Sequence, residues 1–356
     1  MERGIDVFDA VKTTVTPDRE VLRSCLETGP GDEGLRLKAD EVCTAECGRG
    51  VLVRGIIEFS NYCRNTCCYC GLRNANSGLL RYRLKHERII EAADFLYRRG
   101  IRTVVLQSGE DPELSPAWLA RVISEIKERF DIAVTLSVGE WPYEYYKMWR
   151  SAGADRFLLK IETTDRGLYE RLHPGMSFEN RLRCLDQLFE LGYQNGSGII
   201  TGLPFQSIDS IAEDILFLYK KDFDMISVGP FIPHPGTPLG KYPRGSVDFA
   251  CRVLALTRVV CGNAHMPATT ALCAGRDDLR SQGLHWGANV IMPNCTPSWC
   301  AELYDIYPQD PEGENRNTDQ ICLIETAAGK AGKYLDFSRG DSLKKHHRIQ
   351  KEQQDD

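Results

Sequence analysis

Cys63, Cys67 and Cys70 stand in Cys-x3-Cys-x2-Cys spacing, directly after a run of residues that predicts the first strand. Cysteine thiolates are the usual ligands of iron–sulfur clusters, which commonly take four of them. A short loop with three thiolates leaves one iron of a cubane open to another ligand. The spacing therefore predicts a 4Fe–4S cluster with one open iron site.

Two alternatives to this cluster must be weighed. A structural zinc site needs four ligands, and the sequence has no second Cys-x2-Cys or His pair at finger spacing. Chance clustering is the other alternative, because the chain contains fourteen cysteines. The aromatic Tyr69 before the last cysteine and the position of the loop after a strand favour the cluster. Cys68 stands at the wrong spacing for a ligand, and we interpret it as a packed thiol.

The three-cysteine loop resembles that of the radical S-adenosylmethionine (SAM) superfamily, in which the open iron binds the amino and carboxylate groups of SAM. Ser108-Gly109-Glu110 resembles the superfamily's Gly-Gly-Glu motif, and residues 198–202 resemble its Gly-x-Ile-x-Gly motif, an apolar ledge for adenine. Taken without the cysteines, these segments would be a turn and an ordinary buried strand. The resemblance implies SAM contacts at Tyr69, Ser108, Gly109, Glu110, Ser137, Glu162, Arg181 and Ile200.

A denser set of stretches narrows the resemblance to one family, HydE, a maturase for the active-site cluster of iron-only (FeFe) hydrogenases. Biotin synthase and methylornithine synthase are relatives with the same cluster spacing, but the GEWP, FIPHPGTP and PATT stretches resemble HydE more closely. In chain order, the stretches that carry the resemblance are IEFSNYCRNTCCYCGLR, LQSGEDP, LSVGEWPYEYY, AGADRFLLKIET, RLHPGMSFENRL, VGPFIPHPGTPL, PATTAL and GANVIMPN.

The resemblance to HydE implies a reaction and its partners. Reductive cleavage of SAM gives methionine and a 5′-deoxyadenosyl radical, which acts on an iron–cysteine precursor bearing CO and cyanide. The maturase HydG delivers this precursor, HydF is the acceptor of the product, and reduced ferredoxin or flavodoxin donates the electron. Two alternatives stay open: a radical SAM enzyme acting on a small amino acid or sulfur compound, and a non-enzymatic cluster carrier.

A second group of residues falls in or at the ends of the predicted strands, where alternate side chains face the interior of a barrel. The hydroxyls and cations of this group suit an anionic ligand, although a threonine in a strand often reflects β-propensity alone. Arg156 and Lys160 carry more weight, since buried cations are costly unless paired. The predicted substrate contacts, which match positions lining the HydE cavity, are Thr135, Arg156, Lys160, Thr269, Thr270 and Tyr307.

Eight β-branched runs alternate with helix-like stretches from residue 51 onward, which predicts a parallel sheet and favours a full (β/α)8 TIM barrel over a doubly wound open sheet. Chemistry is then expected at the carboxyl ends of the strands. Residues 1–50 predict an N-terminal helical extension, 51–338 the barrel and 339–356 a polar, disordered tail. The predicted strand runs are 51–59, 102–108, 132–138, 155–161, 196–200, 223–229, 266–272 and 287–292.

Composition limits the setting of this chemistry. The net charge of -6 gives no reason to expect nucleic acid or an anionic membrane as a partner. The first twenty residues lack the apolar core of a signal peptide, and no apolar stretch is long enough to span a membrane. Fourteen cysteines without an export signal indicate thiols, ligands or catalytic groups in a reducing cytoplasm.

The remaining cysteines give weaker signals. Some HydE proteins carry a second cluster on a Cys-x7-Cys-x2-Cys motif, but here Cys322 is followed by Lys330 and Lys333 at the other two positions, so we do not expect it. Cys43 and Cys47 lie on a predicted helix, where a buried face is favoured over part of a metal site. We assign no chemistry to Cys295 and Cys300.

Replacement of Cys63, Cys67 and Cys70 by serine tests the cluster prediction. We expect anaerobically reconstituted wild-type protein to show iron–sulfur absorbance and the triple variant to lose it, because serine does not replace the thiolates. Cys68→Ser is the matched control and should keep the absorbance. Unchanged absorbance in the triple variant would contradict the ligand assignment.

Overall fold

The computed structural model describes residues 17–27, 33–273, 278–308 and 320–344, in which helices and strands alternate along most of the chain. The strands are β1 (Gly50–Val53), β2 (Gly55–Ser60), β3 (Thr103–Ser108), β4 (Ala133–Ser137), β5 (Arg156–Leu158), β6 (Gln194–Thr201), β7 (Met225–Pro230), β8 (Val290–Ile291) and β9 (Tyr334–Asp336). The helices are α1 (Arg19–Glu27), α2 (Glu33–Cys47), α3 (His86–Arg98), α4 (Pro116–Arg129), α5 (Tyr143–Ser151), α6 (Arg166–Leu172), α7 (Phe178–Glu190), α8 (Ile208–Lys221), α9 (Val247–Cys261), α10 (Arg280–His285), α11 (Ser298–Ala301) and α12 (Gln320–Lys330).

All the strand pairs are parallel, and the strands form two sheets. Strands β2 to β7 pair in sequence order in a six-stranded sheet, and a three-stranded sheet has the order β8-β1-β9. Isolated parallel bridges join Met225 to His265, Pro267 to Val290 and Ile56 to Asn294. The predicted α/β class with a parallel sheet is confirmed, whereas the described residues form no closed eight-stranded sheet.

The burial of every second side chain in the apolar core explains how these strands divide the molecule into two sides. On β4, Val134 and Leu136 join a large apolar core with Ile123 and Ile126 of α4. Thr135 lies between them in sequence, and alternate side chains of a strand point to opposite faces. We call the side away from the helices the inner face of the sheet. The candidate site lies on this face and at the carboxyl ends of its strands.

Local signals place the helices that cover the sheet. The side chain of Ser115 accepts a hydrogen bond from the amide of Trp118, and Ser177 and Ser207 cap α7 and α8 in the same way. Such caps satisfy amides that have no partner within the helix. No helix among the described residues is long and apolar enough to cross a membrane.

Three features of the strands differ from the sequence-based expectation. The run 51–59 is divided into β1 and β2 on either side of Arg54, and the predicted strand at 266–272 is replaced by an isolated bridge and a 3-10 turn over Thr270–Cys273. Strand β9 was not predicted. It adds to β1 from a distant part of the chain, which a local pattern does not reveal.

Both ends of the described chain pack against the sheet and its helices. Helix α1 packs against α8, where Arg19 pairs with Asp209 at 3.0 Å, and α2 packs against α9. Near the other end, the carbonyl of Arg339 accepts a hydrogen bond from Thr103 Oγ1 at 2.8 Å, so residues 339–344 lie at the amino ends of the strands. Residues 345–356 of the predicted tail lie outside the described residues, and the domain boundaries at 50 and 338 stay predictions.

Arg156 is not where the sequence-based hypothesis requires it. It opens β5, at the opposite end of the strand from the cysteine loop, and its side chain is fully buried. Its guanidinium donates to Gln194 Oε1 at 3.0 Å, Thr103 Oγ1 at 3.1 Å and the carbonyl of Arg339 at 2.7 Å, and it pairs with Asp341 at 2.8 Å. These partners occupy its donors within the chain, and a substrate contact at Arg156 stays a prediction.

We predict that Arg156→Ala destabilises the chain by about 1–3 kcal/mol, because it removes a fully buried guanidinium that donates to Gln194, Thr103 and the carbonyl of Arg339. Asp341 keeps its ion pair with Arg339 in the variant. Urea unfolding of the cluster-free protein measures this change. Arg98→Ala, at a side chain that is 77% exposed, is the matched control and should change stability by less than about 0.5 kcal/mol. If Arg156→Ala kept wild-type stability but lost maturation activity, this result would favour a substrate contact at Arg156.

Candidate cluster and SAM site

The cysteine loop is held at the carboxyl ends of the strands by backbone hydrogen bonds to several separate segments. The amide of Arg64 donates to the carbonyl of Glu110 at 2.9 Å, after β3. The amide of Cys68 donates to the carbonyl of Leu172 at 2.8 Å, at the end of α6, and that of Gly71 to the carbonyl of Ile306 at 3.3 Å. These bonds fix the loop without using the three predicted ligand side chains.

The three predicted ligands lie close enough together to influence one another's ionisation. Burial raises the pKa of Cys63, Cys67 and Cys70, and for Cys70 to about 12. The negative charges of Cys70 and Cys63 raise the pKa of Cys67 further. The free thiols are therefore neutral at pH 7, and metal binding must release protons. The group fits a cluster, since each thiolate would take a different iron. Among the described residues, no three His, Cys, Asp or Glu side chains converge on a single ion.

Gly109 allows the loop to approach the end of β3. A Cβ atom at this position would lie 2.3 Å from the carbonyl oxygen of Tyr62 and 2.7 Å from Cys63 Cβ. Only glycine avoids this collision with backbone. The hydroxyl of the neighbouring Ser108 donates to the carbonyl of Gly109 at 2.7 Å. The predicted Ser108-Gly109-Glu110 segment thus lies directly beside the first cysteine.

Glu110 and Arg181 are brought to the site through Glu140, which the sequence reasoning did not single out. The carboxylate of Glu110 accepts from the amide of Glu140 at 2.9 Å and from Arg64 Nε at 3.1 Å. Arg181 Nε donates to Glu140 Oε1 at 2.5 Å, and another guanidinium nitrogen donates to the carbonyl of Lys160. Glu140 belongs to the GEWP stretch, which was the available signal.

A second network surrounds Tyr69. His173 Nδ1 lies 2.9 Å from the carbonyl of Tyr169, so Nδ1 donates, and Nε2 accepts from the Tyr69 hydroxyl at 3.0 Å. Burial, aided by Arg181, lowers the pKa of His173 to about 3, so the imidazole is neutral. His173 was missed as a residue, although the RLHPGMSFENRL stretch contains it. It holds the Tyr69 ring in one orientation beside the cysteines.

Glu162 has a strained backbone, with φ of 66°. A positive φ is uncommon for residues with a side chain and is worth attention at a candidate site. Its carboxylate pairs with Lys160 Nζ at 2.8 Å, and Tyr69 Oη lies 3.4 Å from the other oxygen. The structure therefore brings the predicted SAM contacts Tyr69 and Glu162 together with the predicted substrate contact Lys160.

A small apolar cluster forms one wall of the site. Tyr69 and Ile200 are both partly buried and pack against the same buried side chains. This surface is where the Gly-x-Ile-x-Gly resemblance places an adenine ring. The buried members of the cluster are Leu168, Leu172, Leu203 and Phe231.

The remaining predicted substrate residues divide into two groups. Thr269 and Thr135 are buried on the inner face, and their Oγ1 atoms have no hydrogen-bond partner within the described part of the chain. Thr270 is exposed and hydrogen-bonded to Tyr307. Burial and the charges of Glu162 and Cys70 raise the pKa of Tyr307, which places this side chain near the cysteine loop. Ser137, at the end of β4, is partly exposed.

Glu58 is a further acid that the sequence reasoning missed. It lies on the inner face of β2, and its carboxylate accepts from Asn294 Nδ2 at 2.9 Å and Thr296 Oγ1 at 3.4 Å. Burial raises the pKa of Glu58 to about 8, so the group is protonated below that pH. Register pairs Glu58 with Gln107 of β3. Its only sequence signal is an acid within a buried strand.

The cysteines outside the cysteine loop are mostly buried or hydrogen-bonded to nearby protein groups. Cys43 is buried on α2, and a hydrogen bond with Cys47 lowers its pKa to about 6. Lys333 pairs with Asp40 at 3.0 Å, beside this pair, while Cys322 is exposed. Cys295 and Cys300 hydrogen-bond to nearby backbone carbonyls.

Residues 57–218 match the family described as the Radical SAM superfamily. Together with the parallel α/β fold and a three-cysteine loop at the carboxyl ends of the strands, this match defines a radical SAM enzyme. The FeFe hydrogenase maturase subunit HydE of Thermotoga maritima is 48% identical over 309 residues, which cover 86% of each chain. The chain belongs to the HydE family of the radical SAM superfamily.

More distant relatives share the whole fold. The 3-methylornithine synthase of Methanosarcina acetivorans is 30% identical over 306 residues, which cover 85% of this chain and 86% of that one. The crystal structure of methylornithine synthase (PylB) superposes with a TM-score of 0.79 at 26% identity, covering 93% of this chain and 97% of that one. HydG superposes with a TM-score of 0.78 at 20% identity, covering 97% and 77%, which supports the fold alone.

The raised pKa of Glu58 predicts a pH-dependent stability. The ordinary pKa of 4.5 governs the unfolded chain, whereas folded Glu58 keeps its proton to about pH 8. Between these values the unfolded state binds fewer protons, so the contribution of Glu58 to stability falls as the pH rises. Glu58→Gln, which cannot ionise, should therefore gain stability relative to wild type between pH 5 and pH 8, by up to about 1.4 kcal/mol for each unit. Urea unfolding of the cluster-free protein at both pH values measures this, and a pH-independent difference would contradict it.

Proposed function

We propose that this chain acts on an iron–cysteine precursor bearing CO and cyanide during assembly of the di-iron subcluster of FeFe hydrogenase. The observation that carries the proposal is 48% identity to HydE of Thermotoga maritima across 86% of both chains. The precursor from HydG, transfer of the product to HydF and an electron from ferredoxin or flavodoxin belong to the same proposal, as does a cytoplasmic location. A full (β/α)8 barrel belongs to the same proposal. It is supported by isolated parallel bridges that join β7 to His265, Pro267 to β8, and Asn294 to β2.

In this proposal Cys63, Cys67 and Cys70 hold a 4Fe–4S cluster. When bound, the cluster supplies the electron that splits SAM into methionine and a 5′-deoxyadenosyl radical. The residues around it fit SAM in polarity and shape. Tyr69 and Ile200 offer an apolar surface for adenine, backed by buried leucines.

The polar SAM contacts follow from the same geometry. The carboxylate of Glu162 lies beside that apolar surface, where it accepts hydrogen bonds from the ribose hydroxyls of SAM. Arg181 is oriented by Glu140 at 2.5 Å, which positions its guanidinium near the cysteine loop for the carboxylate of SAM. Ser108 and Ser137 end neighbouring strands and add hydroxyls at the same edge of the sheet.

We assign substrate binding to the inner face of the sheet, below the carboxyl ends of the strands. Lys160 supplies a positive charge, and Thr135 and Thr269 offer buried hydroxyls without protein partners in the described chain. Thr270 and Tyr307 lie together near Glu162. Buried polar groups without partners are costly, so these two hydroxyls support a polar ligand on the inner face. Arg156 remains a predicted member of this set, although it forms an internal ion pair with Asp341.

A second candidate is a radical SAM reaction on a small amino acid, as in 3-methylornithine synthase. The observation that favours it is the 30% identity to that enzyme over 85% of this chain. Recognition of lysine requires an acid facing the substrate amine, whereas the sequence-based set of substrate contacts contains cations and hydroxyls. Glu58 is the acid in the described inner face that would have to serve this role.

The decisive experiment adds the chain to a hydrogenase maturation system that lacks HydE. Wild type should restore hydrogen evolution, and Cys67→Ser should not. Lys160→Ala should keep SAM cleavage with dithionite within about threefold, yet reduce maturation by at least about tenfold, a loss of roughly 1.4 kcal/mol of substrate interaction.

The outcomes separate the two candidates. Restored hydrogen evolution supports the HydE reaction. Formation of methylornithine from lysine and SAM, without restored hydrogen evolution, would replace it with the second candidate. Absence of SAM binding to reconstituted protein in isothermal titration would overturn both and leave a cluster carrier.

A further inference from the structure

We propose that the outer surface of the cysteine loop is a docking site for a small acidic protein that carries one electron at a time. The surface is formed by the exposed side chains of Arg171, Phe205 and Tyr242, together with exposed Lys241, which precedes Tyr242 in the chain, and the partly buried Arg73. We call it the loop patch. This inference rests on the proposed function in one respect, since it requires that a cluster in the loop be reduced. It adds to the proposed function by locating the surface on which the electron donor docks.

Contacts make the loop patch continuous with the cysteine loop. Cys68, between Cys67 and Tyr69, bonds through its thiol to the carbonyl of Arg171 at 3.3 Å, and its own carbonyl accepts from the amide of Leu239 at 3.1 Å. The guanidinium of Arg73 donates a hydrogen bond to the carbonyl of Thr66 at 3.2 Å, directly before Cys67. The patch thus touches a residue covalently attached to a predicted cluster ligand.

Aromatic side chains extend the patch outward. The guanidinium of Arg171 lies 5.6 Å from the centre of the Phe205 ring, which lies 5.7 Å from the Tyr242 ring. Phe205 is 65% exposed and Tyr242 38% exposed. Exposed aromatic and arginine side chains of this kind are enriched in protein interfaces.

Phe205 also has a strained backbone, with φ of 70°. It follows Pro204 in a turn closed by the amide of Gln206 and the carbonyl of Leu203 at 3.1 Å, a position that favours glycine. The side chain of Gln206 stabilises the turn by donating a hydrogen bond to the carbonyl of Ile200 at 2.9 Å. A left-handed residue costs about 1–2 kcal/mol, and an exposed ring recovers little of this through burial. Such strain at an exposed aromatic marks a contact surface.

The charge of the patch defines its partner. Arg73, Arg171 and Lys241 form no ion pair within the described chain, and Glu170 is the acid adjacent to Arg171 on α6. The protein as a whole has a net charge of -6, so this cationic region contrasts with its average surface. Complementary charge accelerates encounter between proteins, and electron-transfer contacts are small and transient. An acidic carrier fits both requirements, and it gives up one electron as the cluster gains one.

Charge reversal at Arg171 and Lys241 tests the proposal. The reconstituted holoenzyme is mixed with flavodoxin, an acidic flavoprotein, and binding is measured by flavin fluorescence anisotropy at low and high salt. The double variant Arg171→Glu/Lys241→Glu should weaken binding at low salt by at least about tenfold, which corresponds to roughly 1.4 kcal/mol. High salt should abolish most of the difference, because it screens exposed charges.

A second readout follows the cluster itself by its absorbance in stopped flow. Reduction by reduced flavodoxin should slow at least tenfold in the double variant, by the same loss of encounter, whereas reduction by dithionite should be unchanged. Arg88→Glu/Arg98→Glu on α3 is the matched control with an equal change in charge, at side chains that are 58% and 77% exposed. It should behave as wild type in both readouts.

The variant Phe205→Gly distinguishes an effect on docking from an effect on folding. Glycine relieves the strained φ, so thermal stability should be equal to or above that of wild type while flavodoxin binding weakens. Equal loss of dithionite and flavodoxin reduction, wild-type binding by both patch variants, or a change in oligomeric state on size-exclusion chromatography would overturn the proposal. None of these measurements depends on hydrogenase maturation, so a failed docking site and a failed function remain distinguishable.

Discussion

The close approach of two backbones at Gly109 is the constraint on which the rest of the site depends. The cysteine loop can lie against the end of β3 only because no Cβ stands 2.3 Å from the carbonyl of Tyr62. The amide of Arg64 then reaches the carbonyl of Glu110, and the carboxylate of Glu110 reaches the amide of Glu140. Through these bonds the position of the loop is transmitted to the ends of two neighbouring strands.

Buried charge is organised differently at the two ends of the sheet. At the carboxyl ends, Glu140 orients Arg181 and Lys160 pairs with Glu162, near the cysteine loop. At the amino ends, Arg156 pairs with Asp341, which the chain brings back from far along the sequence. A buried cation needs a partner in either case, and in the proposed function the first group of charges also serves binding.

Prediction from the sequence succeeded where the signal was local. The alternation of strands and helices and the position of the cysteine loop directly after a strand follow from residues within a few positions of one another. It did not anticipate the internal partners of Arg156, since a strand cation looks the same in the sequence whether its partner is a substrate or the carbonyl of Arg339. It missed Glu140, His173 and Glu58, because each acts through a hydrogen bond to a residue distant in sequence.

What the sequence determined by itself was the spacing of three thiols, which is typical of a cluster-binding loop, and the alternation of elements that forms a parallel sheet. Tertiary structure decided which polar residues face the site and which close the opposite end, and it divided the strands between two sheets where a closed barrel was expected. The physical reason is range. Spacing and propensity act over a few residues, whereas the pairing of buried charges and strands depends on segments that only the folded chain brings together.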